Sequence, residues 1–204
     1  RLGPAYVKLG QFLATRPDMI GVTAAQDLAR LKDRLPPFSR TIALDTINAE
    51  LGGTEELFAG ISEATAAASI AQVHQAIVPR KGVVAIKVLR PRIEKKMAKE
   101  MAALRFLAQA IEFFSPRSRR LEPVQFIDTV TAATERELDL RLEAGAAAEF
   151  REVAEKDGYL TVPEIDWARS SKRVMTLDWI DGIPLTDTRA LDKAGADRGA
   201  LALA

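Results

Sequence analysis

Cysteine is absent from the 204-residue chain. Disulfides, thiolate nucleophiles, iron–sulfur clusters and cysteine-built zinc sites are therefore excluded. Histidine occurs once, as His74. A site with two or more histidine ligands is excluded, and a Ser–His–Asp triad would have to use this one ring. Aromatic residues are few, at 6%, which argues against a base-stacking surface. Neither sign of charge is in excess. The 29 Lys and Arg balance 28 Asp and Glu for a net +1, so nothing pulls the chain strongly toward nucleic acid or an acidic membrane surface. No apolar run reaches the roughly 18 residues needed to span a bilayer, and no signal peptide is visible. Both ends fall inside helical composition, at Arg1 without a methionine and at Leu201-Ala202-Leu203-Ala204. The chain is therefore expected to be an internal piece of a longer protein.

What is present is a hydrophobic content of 48%, enough to bury a core in one domain or in one domain with an extension. The first third reads as helical. Gly3-Pro4 opens a segment to Arg16 that Pro17-Asp18 closes. Thr23 caps a second helix through about Leu35, and Ser39 a third through Leu51, stopped by Gly52-Gly53. From Ile61 to Leu89 the β-branched content rises. Ile70 to Val78 and Val83 to Leu89 read as strands joined by the turn Pro79-Arg80-Lys81-Gly82. Pro91 begins a helix to about Phe114. One long helix is expected from about Pro123 to Lys156, with Gly158 beyond its end. Val162-Pro163 and Arg173 to Trp179 read as short strands, Asp181-Gly182 as a turn, and Thr186 as the start of a last helix. This order gives an α+β fold with a mostly antiparallel sheet.

The most informative segment is Val83-Val84-Ala85-Ile86-Lys87-Val88-Leu89, where a lysine interrupts an apolar strand. Val83, Ala85, Lys87 and Leu89 share one face. Either the strand lies at a sheet edge and Lys87 reaches water, or the face is covered and the ammonium needs a partner. Helical phase offers one: Glu137 follows Phe126 by eleven residues and Val130 by seven, within roughly 20° of both on a helix, so it projects inward. The alternative is a Glu137 at the rim of the apolar stripe, in water. By the same count Asp139 falls on a polar sector. Thr65 to His74 is a run of small residues, either a tight packing contact or a segment whose backbone N–H groups can approach a phosphate. Lys8, Gly10 and Gln11 form Lys-x-Gly-Gln on the first helix, with Lys8 and Gln11 on one face. A glycine inside a helix costs about 1 kcal/mol against alanine and points to close packing, whereas a solvated lysine face is the plainer reading. The basic runs Arg90 to Lys99 and Arg117 to Arg120 read as a solvated helix face and loop. His74 reads as a structural residue of a strand rather than a base.

Taken in order, these segments resemble the UbiB family of atypical kinases. Gly3 to Gln11 with Thr15-Arg16-Pro17-Asp18 looks like its KxGQ segment. Ala66-Ala67-Ala68-Ser69-Ile70-Ala71-Gln72-Val73-His74 looks like its alanine-rich replacement for the kinase glycine loop. Val84-Ala85-Ile86-Lys87 resembles the VAIK strand, Glu137-Leu138-Asp139 with Glu143-Ala144 the ExD motif, and Val174 to Gly182 a hinge. The resemblance implies a protein-kinase-like N-lobe at 61–182, a helical KxGQ extension at 1–60 and the start of a C-lobe at 183–204. It implies that Ala66, Ala67, Ala68 and Ser69 roof an ATP site and that Lys87 holds the α- and β-phosphates and pairs with Glu137. Ala85 would lie over the adenine, Leu177 would be the gatekeeper, and the backbone of Asp178 and Ile180 would bond the adenine edge. Lys8, Gly10 and Gln11 would cross the site and meet the acids Glu137, Asp139 and Glu143, leaving no room for a protein substrate.

The implied activity is an ATP-dependent small-molecule kinase or ATPase step supporting ubiquinone assembly. It would be placed on the cytoplasmic side of the inner membrane, with ubiquinone-pathway proteins and membrane lipid as partners and no nucleic acid. The departures concern chemistry. No His-x-Asp occurs, and the catalytic Asp and the Mg²⁺ ligands of a kinase are expected beyond residue 204. No catalytic or metal-binding residue is thus expected within the chain, and ATP turnover by it should be negligible. Mg²⁺ would serve the full-length parent only. A polyprenylphenol hydroxylase, an older description of such proteins, fits poorly, because there is neither a GxGxxG flavin fingerprint nor an iron ligand set. The rival reading is a non-catalytic nucleotide- or lipid-binding scaffold in which Lys87 and Glu137 are structural. A third is a helical adaptor without a nucleotide site.

Overall fold

The computed structural model describes residues 3–29, 36–158, 160–185 and 187–197. The expected end of the second helix at Leu35, the expected helix start at Thr186 and the tail to Ala204 lie outside these residues. The N-terminal part is helical, with α1 (Pro4–Ala14), the single turn α2 (Pro17–Ile20), α3 (Val22–Ala29) and α4 (Arg40–Leu51). Pro4 and Pro17 stand in the first turns of α1 and α2, where a missing N–H is harmless. Ser39 caps α4 through its hydroxyl, which accepts from Ile42 N, and Gly52 ends it at φ 82°. No residue next to α1 caps it. The carboxylate of Glu100, from a later helix, accepts from Ala5 N at 3.0 Å instead. A Cβ on Gly3 would overlap that carboxylate, which would have to swing aside.

Four antiparallel strands follow in the spatial order β1 (Gly60–Ala67), β2 (Ala71–Val78), β3 (Gly82–Leu89) and β4 (Val174–Asp178). β1 was not expected from the sequence: the segment leading into the small-residue run is itself a strand, irregular between Ile61 and Ala66, and it turns at 68–70 into β2. β3 is interior, so the edge-strand reading of Lys87 is overturned. Val162-Pro163 forms no strand. Pairing along β4 is displaced to Glu164–Asp166, where Ile165 bridges Leu177 and Asp166 N donates to the Thr176 carbonyl. Pro163 has no N–H with which to pair.

Between β3 and β4 lie α5 (Ile93–Phe114), a 3₁₀ turn at Pro116–Leu121, α6 (Pro123–Glu137) and α7 (Leu140–Asp157), and α8 (Thr188–Lys193) follows β4. The single long helix expected from Pro123 to Lys156 is therefore two. Leu138 and Leu140 are both buried, and residues two apart on one helix point about 200° away from each other. A break lets both reach the core. Asp139, in extended conformation, then caps α7 by accepting from Arg141 N at 3.1 Å, and Leu140 N finds the Lys172 carbonyl at 2.9 Å.

The sheet has a core on each side. One face presents Ala76, Val78, Val84, Ile86, Val88 and Val174 to α4 and Phe58. The other presents Ala71, Leu89, Met175 and Leu177 to α1, α5, α6 and α7. No described helix is long and apolar enough to cross a membrane.

Candidate functional site

Paired residues in adjacent antiparallel strands share a face. Ala66 pairs with Val73, Val73 with Lys87, and Lys87 with Met175; one step along, Ala85 pairs with Leu177. Ala66, Ala85, Lys87 and Leu177 thus stand together on the α7 face of the sheet, three of them carrying a small or aliphatic side chain and one a cation. Lys87 is half-buried. Its ammonium meets both carboxylate oxygens of Glu143, on the first turn of α7, at 2.6 Å.

This corrects the expected pairing of Lys87 with Glu137. Glu137 ends α6 and does point inward, as its phase required, but the inward neighbour is α1: its carboxylate pairs with Lys8, whose side chain is largely buried. α6 packs on α1 and α5, whereas α7 packs on β4. Helical phase gives the direction a side chain leaves its helix, not the element it meets. An unbroken helix would carry Glu143 about 240° away from Glu137, and the break at Leu138–Asp139 is what brings it to the sheet. The sequence named Glu143 only through the ExD resemblance; that it meets Lys87 follows from the burial of Leu138 and Leu140, which only the structure shows.

The other acid of the ExD segment is engaged locally. Besides capping α7, the Asp139 carboxylate accepts from Arg141 Nε at 2.9 Å and Nη2 at 2.6 Å. These hydrogen bonds from Arg141 hold its pKa below the ordinary aspartate value. Gly10 is buried in α1 and Gln11 is half-buried.

The small-residue loop is pinned from outside. Ala68 N donates to the Ala71 carbonyl at 2.8 Å and closes the turn. Arg90, just after β3, donates to the Ala68 carbonyl from Nε at 3.0 Å and Nη2 at 2.8 Å, and to the Pro36 carbonyl at 3.0 Å, while its guanidinium lies 5.7 Å from the centre of the Phe38 ring. Burial lowers the Arg90 pKa from the ordinary arginine value. Arg90 was read from sequence only as part of a solvated basic run, and its role as a clamp on Ala68 was missed. Ser69 is buried at the same turn.

At the hinge, Asp178 points its side chain away from the site toward Lys81, at 3.1 Å. Its N–H donates to the Glu164 carbonyl at 3.0 Å. Ile180 is exposed beyond the strand. His74 is fully buried on the opposite face. Its Nδ1 donates to the Ser62 carbonyl at 2.9 Å, so Nε2 accepts from Gln72 Nε2 at 2.9 Å. With both nitrogens used and no exposure it is structural. Among the described residues no three His, Cys, Asp or Glu side chains gather into a metal-ligand set.

A family profile described as the ABC1 atypical kinase-like domain matches residues 30–203. The chain belongs to the ABC1 atypical kinase-like family. Its fold is accordingly that of a protein-kinase-like N-lobe with added helices. Three relatives from this family are each named "Probable protein kinase UbiB". Those of Marinobacter nauticus and Xanthomonas axonopodis pv. citri are both 39% identical, over 203 and 208 residues. That of Xylella fastidiosa strain M23 is 37% identical over 202 residues. Each match covers 98% of this chain and 37% of the relative, so the chain spans a little over a third of the length of these ABC1 proteins. A solved structure of Rv3197 with erythromycin, from Mycobacterium tuberculosis, is similar at 26% identity and a TM-score of 0.56, covering 91% of this chain and 46% of that one.

Proposed function

We propose that the chain is the ATP-binding part of an atypical small-molecule kinase or ATPase that supports ubiquinone biosynthesis at the cytoplasmic face of the inner membrane. The observation that carries this reading is the Lys87–Glu143 pair on the α7 face, with Ala85 and Leu177 beside it on the same face. A lysine held bidentately by a carboxylate is oriented yet half-buried, and can turn an N–H toward an anion. Phosphates of ATP would lie between Lys87 and the loop Ala66–Ser69, whose side chains are no larger than a hydroxymethyl. The adenine would lie between Ala85 and Leu177, against the backbone of Asp178 and Ile180. The Lys8–Glu137 pair holds α1 to the end of α6, next to the start of α7, which supports a reading in which α1, with Gln11, limits access by large substrates.

Phosphoryl transfer needs a carboxylate to accept the hydroxyl proton and ligands for Mg²⁺. The described residues present no such ligand set, and we assign both functions to the remainder of a longer protein. The chain itself is then expected to bind ATP without turning it over. Calorimetry of the chain with ATP, with and without Mg²⁺, tests this. Binding should weaken about tenfold or more in Lys87→Ala, because one charge-assisted contact is worth ~1.5–3 kcal/mol. Absence of any ATP binding, or binding unaffected by Lys87→Ala, would overturn the reading in favour of a scaffold.

A further inference from the structure

The turn between β1 and β2 is made without glycine. Residues 66–71 read Ala-Ala-Ala-Ser-Ile-Ala, and alanine lacks the backbone freedom that lets a glycine loop adapt to a phosphate. Such a turn has to be held in its binding shape before a ligand arrives. Arg90 holds it. Its guanidinium donates to the single carbonyl of Ala68 from Nε at 3.0 Å and from Nη2 at 2.8 Å, and Nη2 also reaches the Pro36 carbonyl at 3.0 Å. The Arg90 backbone is fixed as well. Its N–H donates to the Ile70 carbonyl at 2.8 Å, and its carbonyl accepts from Arg173 Nη2 at 3.0 Å. The Phe38 ring, which packs against the α4-side core, lies 5.7 Å from the guanidinium. Arg90 therefore grips the turn from the side of the sheet away from Lys87. The peptide between Ala68 and Ser69 is trans, so its N–H points opposite to its C=O. With that carbonyl drawn to Arg90, the Ser69 N–H is turned away from the Phe38 side and toward the face that carries Lys87.

We propose that Arg90 is a positioning residue for nucleotide phosphates: by holding the Ala68 carbonyl it presents the Ser69 N–H to a phosphate that Lys87 meets from the opposite side. The proposal rests on the nucleotide reading above and deepens it. Arg90 itself touches no phosphate. Its Nε and Nη2 are engaged with backbone carbonyls, and its guanidinium lies beside Phe38 on the far side of the turn. What it supplies is preorganisation of a backbone donor. The consequence is selective. The adenosine part of a nucleotide would lie two residues along β3, between Ala85 and Leu177, which pair across β3 and β4 and make no contact with the clamp. Loosening the turn should therefore weaken ligands that carry phosphates and spare adenosine, whereas a general loss of fold would weaken both alike.

Arg90→Lys keeps the positive charge but has one nitrogen where the clamp uses two. Titrations with ATP and with adenosine, followed by NMR, should show ATP binding weakened about tenfold and adenosine binding unchanged. Phe38→Leu, which removes the ring beside the guanidinium and leaves Arg90 in place, is a second probe. It should weaken ATP in the same direction by about two- to fivefold. Hydrogen exchange without nucleotide reads the grip itself. The Ala68 amide, which closes the turn on the Ala71 carbonyl, should exchange faster in Arg90→Lys than in the wild type. Equal losses for ATP and adenosine would mark Arg90 as merely structural and overturn the proposal. So would faster exchange at Ala68 with ATP affinity intact, or ATP affinity intact in both variants. Lys87→Ala separates this failure from that of the nucleotide reading. If Lys87→Ala weakens ATP binding and Arg90→Lys does not, only the clamp fails; if the wild type binds no ATP, both do.

Discussion

On the α4 face of the sheet, Val84, Ile86 and Val88 lose all contact with solvent, and the buried polar groups among them are tied off. Gln72 accepts from Phe38 N at 3.0 Å and donates to the Phe38 carbonyl and to His74, which donates to Ser62. On the α7 face, the residues between them in the same strand are Ala85 and Lys87, a methyl group and a half-buried cation. Alternation in one strand therefore separates two tasks. The α4 face supplies burial, at about 1.5–3 kcal/mol for each large aliphatic side chain. The α7 face gives up some of that to keep a charged pair within reach of solvent.

The largest expected effect breaks the α4 face. Ile86→Ala should cost about 2–5 kcal/mol in urea unfolding, because it opens a cavity in a wholly buried site. Gln72→Leu should cost about 1–3 kcal/mol by leaving the Phe38 backbone groups and His74 Nε2 without partners, and it should loosen the segment that Arg90 also grips.

Asp139→Ala should cost about 1 kcal/mol as a lost helix cap. The sign of its pH dependence follows from the depressed pKa of Asp139. The contribution is fully present above the ordinary aspartate range and is lost as pH falls through the lowered folded value. Wild type and variant should converge in stability in strong acid, which thermal melts against pH will show.

The smallest effect on stability belongs to the α7 face. Lys87→Met should change the unfolding free energy by no more than about 1 kcal/mol, since the pair is partly solvated, while ATP binding weakens about tenfold or more. If Lys87→Met destabilised the chain as much as Ile86→Ala, the division between the faces would fail.

Much of this fold could be read from the residues. Ser39 and Gly52 bracket α4 because cap chemistry is local, and β2, β3 and β4 lie within about two residues of where β-branched runs place them. β1 escaped notice because Gly60–Ala67 is rich in alanine and polar residues, and it is a strand only because β2 pairs with it. The break between α6 and α7 was obscured by a run of strong helix formers, since propensity yields to the burial of Leu138 and Leu140. The site was legible to the same degree. Lys87 was found from its apolar surroundings and Glu137 from its phase, but their partners depend on which elements pack together.

The central claim is that two ion pairs organise the α7 side, Lys87 with Glu143 and Lys8 with Glu137. A carbodiimide joins an ammonium to a carboxylate in direct contact as an amide without adding a spacer, so mass spectrometry of digests from the unmodified sequence tests the claim directly. The expected products link Lys87 to Glu143 and Lys8 to Glu137. A dominant Lys87–Glu137 product, with no Lys87–Glu143, would contradict it.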